Sequence, residues 1–246
     1  MNMTKRYIYK PGVAYCAIVV GALLTFGCGY NPTDYKAGRP DSLVSMSAMP
    51  DTIPADGQST ATILLVIQNP EDKEARHVTL TTTSGAFGQT GTNQSVVLTT
   101  DSRGMAETRL RAGLQVDEAL LEASIGTLLT RAQVVFARAW PETCVVDPGG
   151  FTLAATTNAT ASMTAMLLRT VGKPTQGIAV VYAAVDSMSR PIGEFRGATL
   201  SDASGVSTVQ FWVGQTSYRG PALITASVAV PGRAIIGSAK IQIVAP

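Results

Sequence analysis

The sequence is poor in the residues that most enzymes use. It holds one histidine, His77, and three cysteines among 246 residues. A single histidine excludes a His-rich zinc site and the H-E-x-x-H motif. No lysine follows a serine by three positions, so a Ser-x-x-Lys nucleophile is absent. The acids form no paired motif and no cluster with calcium-ligand spacing. We therefore predict a protein that is not an enzyme, with no catalytic residue, cofactor, metal ion or small-molecule substrate.

The sequence also lacks an apolar run long enough to cross a bilayer. The uncharged run at residues 13–26 has 14 residues, whereas a membrane-spanning helix needs about 20. Lys5, Arg6 and Lys10 precede this run, and no acid does. This arrangement is typical of a secretory signal peptide, which we assign to residues 1–27. An uncleaved N-terminal anchor is the alternative.

Cys28 stands where the apolar run gives way to a polar segment. The stretch LTFGC, residues 24–28, resembles the lipobox of bacterial lipoproteins, with Gly27 directly before the cysteine. The resemblance implies that Cys28 is acylated and becomes the first residue of the mature chain. Two or more acyl chains give stable membrane attachment, at about 0.8 kcal/mol per buried methylene. Ordinary secretion, with a chance cysteine near the cleavage site, is the alternative.

The residues after Cys28 predict a short tether and a location. Two prolines and two glycines occur between residues 29 and 41, so residues 28–41 are interpreted as a lipidated cysteine and a tether. At about 3.1 Å per residue the tether reaches at most about 40 Å. Gly29, rather than aspartate, follows the cysteine, and resemblance to enterobacterial sorting then points to the outer membrane. We expect a cell-envelope protein held by its lipid, with the periplasmic or surface face left open.

The net charge of the mature chain argues against nucleic acid as a partner. Removal of residues 1–27 takes away three of the 19 basic residues and leaves 16 against 17 acids. A mature chain without net positive charge lacks the electrostatic footprint of a nucleic-acid-binding protein.

Cys16 is lost with the signal peptide and Cys28 is lipidated, so Cys144 remains alone. Its simplest role is that of a small buried apolar residue, and a partner disulfide or a reactive thiol is the alternative.

From Ser42 onward the chain consists of short apolar runs separated by Gly, Pro, Asn and Asp. Six such runs, each of 6 to 8 residues, lie between residues 61 and 137. Their length and spacing predict β-strands of an all-β sandwich. No stretch keeps a 3.6-residue apolar period, which argues against a helical domain.

The second half of the chain repeats the first at a spacing of about 101 residues. Asp101-x-x-Gly104 corresponds to Asp202-x-x-Gly205, an offset of 101, and the later strands correspond at offsets of 103 and 107. Loop insertions after a tandem duplication produce such a drift. One immunoglobulin-like sandwich has about 100 residues. We therefore predict two domains, at residues 42–139 and 140–246.

The first of these segments resembles the bacterial immunoglobulin-like repeat of the invasin and intimin type. The resemblance rests on the turn PADG at residues 54–57, a Thr-rich alternating strand, the strand VTL at residues 78–80 and the turn at Asp101. The second segment keeps the strand pattern and the Asp-x-x-Gly turn but has ATTNATASM in place of the PADG turn. The fold implied is a pair of tandem Greek-key β-sandwiches. Asp56 and Asp101 are interpreted as turn-forming residues rather than metal ligands.

Two features are candidates for partner binding. Alternation places Trp212 on an outward face, where a tryptophan can anchor a partner. The run ATILLVIQ is apolar on both faces, so Leu64 and Val66 face outward if Ala61, Ile63, Leu65 and Ile67 fill the core. Cover by other parts of the chain is the alternative for both features.

The function expected is that of a non-catalytic envelope lipoprotein that serves as an adhesion, spacer or assembly module. Its expected partners are the membrane, through the lipid, and an envelope protein or surface ligand. The alternatives are an accessory subunit of an envelope secretion, pilus or carbohydrate-processing complex, and a spacer that binds nothing.

Overall fold

The computed structural model describes residues 44–67, 76–88, 92–126 and 128–246. Across these residues the regular structure is entirely β, and no helix occurs. The prediction of an all-β protein is therefore confirmed. The signal peptide, Cys28 and the tether lie outside the described residues.

The described residues of the first sandwich form nine strands, arranged in two sheets that face each other. Sheet A has the strand order β1-β3-β7-β5, and sheet B has the order β2-β9-β8-β4-β6. The strands are β1 (Val44–Met49), β2 (Thr52–Pro54), β3 (Thr60–Ile67), β4 (His77–Thr82), β5 (Ala86–Phe87), β6 (Ser95–Thr99), β7 (Met105–Arg111), β8 (Asp117–Ile125) and β9 (Leu128–Ala137).

Eight strands build the second sandwich in the same way. Sheet C has the order β10-β12-β15-β14, and sheet D has the order β11-β17-β16-β13. The strands are β10 (Thr143–Pro148), β11 (Thr152–Ala154), β12 (Thr160–Leu168), β13 (Val181–Val185), β14 (Glu194–Gly197), β15 (Val206–Trp212), β16 (Gly220–Val230) and β17 (Arg233–Val244). Both sandwiches belong to one compact unit.

Each sandwich has its own hydrophobic core between its two sheets. In the first, Ile63 and Leu110 of sheet A pack towards Leu80 and Phe136 of sheet B, all fully buried. In the second, sheets C and D make a separate cluster around Phe211. Alternating apolar residues with period 2 create these inward faces. The four residues assigned to the core on β3, Ala61, Ile63, Leu65 and Ile67, are all buried, which confirms that alternation.

The repeat inferred from the sequence is visible in the sheet orders. Each strand of sheet C follows the order of its counterpart in sheet A, and sheet D repeats sheet B except for one strand. The exception is β6, which pairs with β4 at the edge of sheet B. Where β6 would recur, the described residues of the second sandwich have only an isolated bridge between Ala179 and Leu200. Tandem immunoglobulin-like sandwiches are therefore the fold of this chain.

Candidate functional site

Leu64 and Val66 lie on the outer face of sheet A, as predicted. Leu64 lies between Ser47 of β1 and Glu107 of β7, and 36% of its surface is exposed. Val66, between a serine and Met105, is half-buried. Polar neighbours thus border Leu64 on both sides and Val66 on one side only. The role of Leu64 and Val66 in binding a partner stays a prediction.

Trp212 lies on the outer face of sheet C, at the end of β15. Its cross-strand neighbours are Thr160 of β12 on one side and Glu194 of β14 on the other. Its indole N–H donates to the carbonyl oxygen of Thr157 at 2.7 Å, and the guanidinium of Arg196 stands 4.5 Å from the ring centroid. These contacts leave the tryptophan half-buried. Its neighbours fix the ring in place and cover part of it.

The structure does not bring the sequence-predicted residues into one site. Leu64 and Val66 belong to the first sandwich and Trp212 to the second. Cys28 lies outside the described residues. Among the described residues, no three His, Cys, Asp or Glu side chains stand close enough together to hold a metal ion. No helix within the described ranges has the length and apolar character needed to cross a membrane.

The other singled-out residues have local structural roles. His77 is exposed on β4, with its Nδ1 atom 3.2 Å from the hydroxyl of Thr99. Cys144 is buried on β10, and burial raises the pKa of its thiol. The carboxylate of Asp56 accepts hydrogen bonds from the backbone N–H groups of Gln58 and Ser59 and from the Ser59 hydroxyl, at 2.7–2.8 Å. These contacts confirm Asp56 as a turn-forming residue.

The junction between the sandwiches is a site that the sequence did not reveal. The loop between β12 and β13 reaches back to the first sandwich, and Thr175, only 1% exposed, is its central residue. The Thr175 hydroxyl donates to the Ala55 carbonyl at 3.1 Å and accepts the Ala139 N–H at 2.7 Å. The Thr175 N–H donates to the Ala139 carbonyl at 3.0 Å. One side chain therefore joins the first sandwich, the second sandwich and the linker between them, residues 138–142.

Further contacts hold this loop against the turn at Asp56. The N–H of Lys173 donates to the Asp56 carbonyl at 2.9 Å, and the N–H of Gln176 donates to the Leu114 carbonyl at 2.8 Å. Gly172 packs so closely that a Cβ atom there would lie 2.6 Å from the Asp56 carbonyl oxygen. Backbone N–H groups of the loop and carbonyl groups of the first sandwich are thus paired across the junction. Such contacts fix the orientation of the two sandwiches.

The linker itself is also fixed at both ends. Arg169 donates from Nη1 to the Trp140 carbonyl at 2.5 Å, and the guanidinium of Arg138 stands 5.2 Å from the centroid of the Trp140 ring. The hydroxyl and N–H of Thr170 bind the carboxylate of Glu142. These hydrogen bonds, the hydroxyl first, hold the pKa of Glu142 below its ordinary value. No periodic or motif signal in the sequence marks these contacts.

The amino-acid sequence matches no protein-family model. It also matches no curated protein.

The fold, by contrast, is similar to that of solved bacterial proteins. One is invasin, a bacterial integrin-binding protein, with 18% identity, a TM-score of 0.63 and coverage of 83% of this chain and 40% of that one. Another is the adhesin InvE of Yersinia pseudotuberculosis, with 16% identity, a TM-score of 0.55 and coverage of 84% and 61%. This chain thus spans less than two thirds of either protein. At such identities the similarity establishes the fold, and the predicted immunoglobulin-like architecture of the invasin type is confirmed.

Proposed function

We propose that this chain is a non-catalytic module of the bacterial cell envelope, anchored by a lipid on Cys28, that presents two immunoglobulin-like domains to a partner. The domains comprise residues 42–139 and 140–246, and residues 28–41 tether them to the membrane, in an outer-membrane location. The role is of the adhesion or assembly type. The proteins of similar fold support this role, since one is described as integrin-binding and the other as an adhesin.

The observation that carries the proposal is the junction at Thr175. A buried side chain and three backbone contacts join the two sandwiches. A fixed junction suits a module that holds a binding surface on one sandwich at a set position relative to the other sandwich. It gives no advantage to an enzyme that needs a cleft to open and close between domains.

Membrane anchoring is tested by substitution of Cys28. Cys28→Ser is expected to move the protein from the membrane fraction to the soluble fraction or to leave it unprocessed, since no acyl chain can then be attached. The matched control is Cys16→Ser, which changes a cysteine inside the proposed signal peptide and leaves fractionation unchanged. Membrane attachment of a cleaved Cys28→Ser protein contradicts the anchor.

Partner binding is tested on the outward faces of the two sheets. Cross-linking of the full chain in its own envelope, followed by mass spectrometry, identifies the neighbours. Trp212→Ala, and Leu64→Ser combined with Val66→Ser, are expected to remove at least one cross-linked partner, because anchoring residues dominate binding energy. Val97→Ser, at a residue that is 61% exposed on β6, is the control. An unchanged set of partners in both variants leaves only the spacer role.

A further inference from the structure

The end of the second sandwich opposite the junction is built from loops of both sheets. The loop at the junction joins the end of β12 to the start of β13. The start of β12 and the end of β13 therefore lie at the other end. Trp212, which pairs with Thr160 at the start of β12, belongs to this end, as does the turn at residues 186–190 that follows β13. We refer to this region as the distal end.

One cleft of the distal end lies between the turn at residues 186–190 and the loop at residues 216–219. Its volume is about 760 Å³. Its polar and aromatic lining residues include Arg190, Arg219, Tyr218, Thr216, Ser217 and the acidic Asp186. A cleft of this size accommodates a small ligand or part of a larger one.

Two smaller clefts flank the same region. One, of about 300 Å³, is lined by Trp212, Arg196 and the amide side chains of Asn158 and Gln210. The other, of about 320 Å³, lies on the far side of the turn and includes Lys240. Each of these three clefts contains a cation, and two of the three contain an aromatic ring. A further cleft at this end, of about 460 Å³ between β13 and β14, contains no cation.

The charges of this end do not cancel. Four cations line the clefts, namely Arg190, Arg196, Arg219 and Lys240. Arg190 is paired with the buried carboxylate of Asp186 at 2.8 Å, and Arg196 is paired with Glu194 at 3.3 Å. The other two have no carboxylate partner among the described residues.

Arg219 and Lys240 therefore supply the unmatched positive charge. The Nη1 atom of Arg219 donates to the carbonyl oxygens of Thr216 at 2.5 Å and of its neighbour Tyr218 at 2.7 Å. These bonds orient the guanidinium without neutralising it. Lys240 is exposed on β17. A pair of uncompensated cations beside open clefts attracts an anion.

We propose that the distal end binds an acidic saccharide. The inference rests on the proposed function and names the ligand class of the presented surface. The guanidinium of Arg219 provides planar donors for a carboxylate or sulfate, and the ammonium of Lys240 adds a second positive charge. The hydroxyl and amide side chains provide partners for sugar hydroxyls, and the rings of Trp212 and Tyr218 provide apolar area beside them. An acidic peptide can pair with the same cations, so polyglutamate is included in the test to distinguish the two ligand classes.

The test measures binding of soluble polymers to the immobilised full chain. Polygalacturonate presents carboxylates, dextran sulfate presents sulfates and dextran is neutral. One or both acidic polymers are expected to bind while dextran does not, with binding that weakens as salt rises from about 50 to about 200 mM. The arm that binds more tightly identifies the anionic group. Arg219→Gln and Lys240→Gln are each expected to weaken binding about tenfold, since a hydrogen bond to a charged group is lost.

The controls separate this site from general electrostatics. Arg233→Gln removes the same charge from the hairpin between β16 and β17, at the junction end of the same sandwich, and is expected to leave binding unchanged. Lys240→Gln removes no hydrogen bond or ion pair within the described residues. The thermal stability of this variant is therefore expected to match that of the wild type, which separates a loss of binding from a loss of folding.

Three outcomes overturn the proposal. They are no binding of either acidic polymer at low salt, equal weakening by Arg233→Gln, and binding of polyglutamate as tight as that of the polysaccharides. If saccharide binding fails while Cys28-dependent attachment to the membrane persists, the ligand class is wrong and the anchored module stands. If attachment fails as well, the proposed function is wrong with it.

Discussion

At the scale of single residues, Ser189 has a backbone conformation that equivalent turns give to glycine. Its φ is 61°, against 77° for Gly104 and 80° for Gly205. In all three turns the N–H of this residue donates to the carbonyl of the aspartate three positions earlier, at 3.0 Å. A left-handed conformation costs a residue with a Cβ atom about 1–2 kcal/mol. The turn at residues 186–190 therefore retains strain that the two other turns avoid.

Ser189→Gly is expected to stabilise the second sandwich. Relief of the left-handed strain exceeds the extra chain entropy of glycine, which leaves a gain of about 0.5–1 kcal/mol in the free energy of unfolding. Chemical denaturation measures this change. Ser187→Gly, in the same turn but without positive φ, is expected to destabilise the protein slightly. A Ser189→Gly protein no more stable than Ser187→Gly contradicts the assignment of strain.

Asp186 makes the stability of this turn dependent on pH. Its carboxylate accepts the N–H groups of Met188 at 2.8 Å and Arg190 at 3.0 Å. The Arg190 N–H, the largest cause, lowers the pKa of Asp186 below 3.8. Well above the ordinary pKa, the carboxylate is ionised in both the folded and the unfolded protein, and its full contribution to stability is present. As the pH falls, the unfolded protein binds the proton first. The contribution is therefore lost progressively as the pH falls towards and through the lower pKa of the folded protein.

The expected result is a steeper loss of stability in the wild type than in Asp186→Asn. Between about pH 4 and about pH 2, the free energy of unfolding of the wild type falls more sharply, because the variant has no carboxylate to protonate. Urea denaturation across this range gives the two curves. Parallel curves for the two proteins show that Asp186 carries no such linkage.

At the scale of the element, β3 separates core residues from surface residues within one strand. Leu65 is fully buried and Leu64 is 36% exposed. Leu65→Ala is expected to cost about 2–5 kcal/mol of stability, the range for a leucine lost from a packed core. Leu64→Ala is expected to cost less than about 1 kcal/mol, since surface changes are small. Equal costs in denaturation experiments make Leu64 a core residue and remove it as a candidate for partner binding.

Elements of this kind are what the sequence predicts well. The burial of Ile63 and Leu65 follows from alternation, and the turn at Asp101 follows from residues only four positions apart. The junction does not follow, because Thr175 contacts Ala55 across 120 positions. A threonine in a loop has no period or motif that indicates such a partner. The distal clefts have the same origin, since side chains from separate loops meet there only after folding.

At the scale of the whole molecule, the junction determines whether two sandwiches act as one rigid body. Gly172 and Gly177 lie in the same loop with φ of 68° and 80°. A Cβ atom at Gly172 would lie 2.6 Å from the Asp56 carbonyl oxygen, whereas one at Gly177 would have no neighbour within 4 Å. Alanine at either position brings the same left-handed strain, about 1–2 kcal/mol. Only alanine at Gly172 also collides with the first sandwich.

Gly172→Ala is therefore expected to release the orientation of the sandwiches, and Gly177→Ala is not. Small-angle X-ray scattering from the full chain measures the difference as a broader distribution of interatomic distances in Gly172→Ala than in the wild type. Thermal unfolding is expected to show a loss in both variants, because both carry the strained backbone. If the two variants scatter alike, the contacts at Asp56 do not govern the orientation. A module that bends freely at its middle cannot hold its distal end at a set distance from the first sandwich, so presentation at a fixed distance then requires a different source of stiffness.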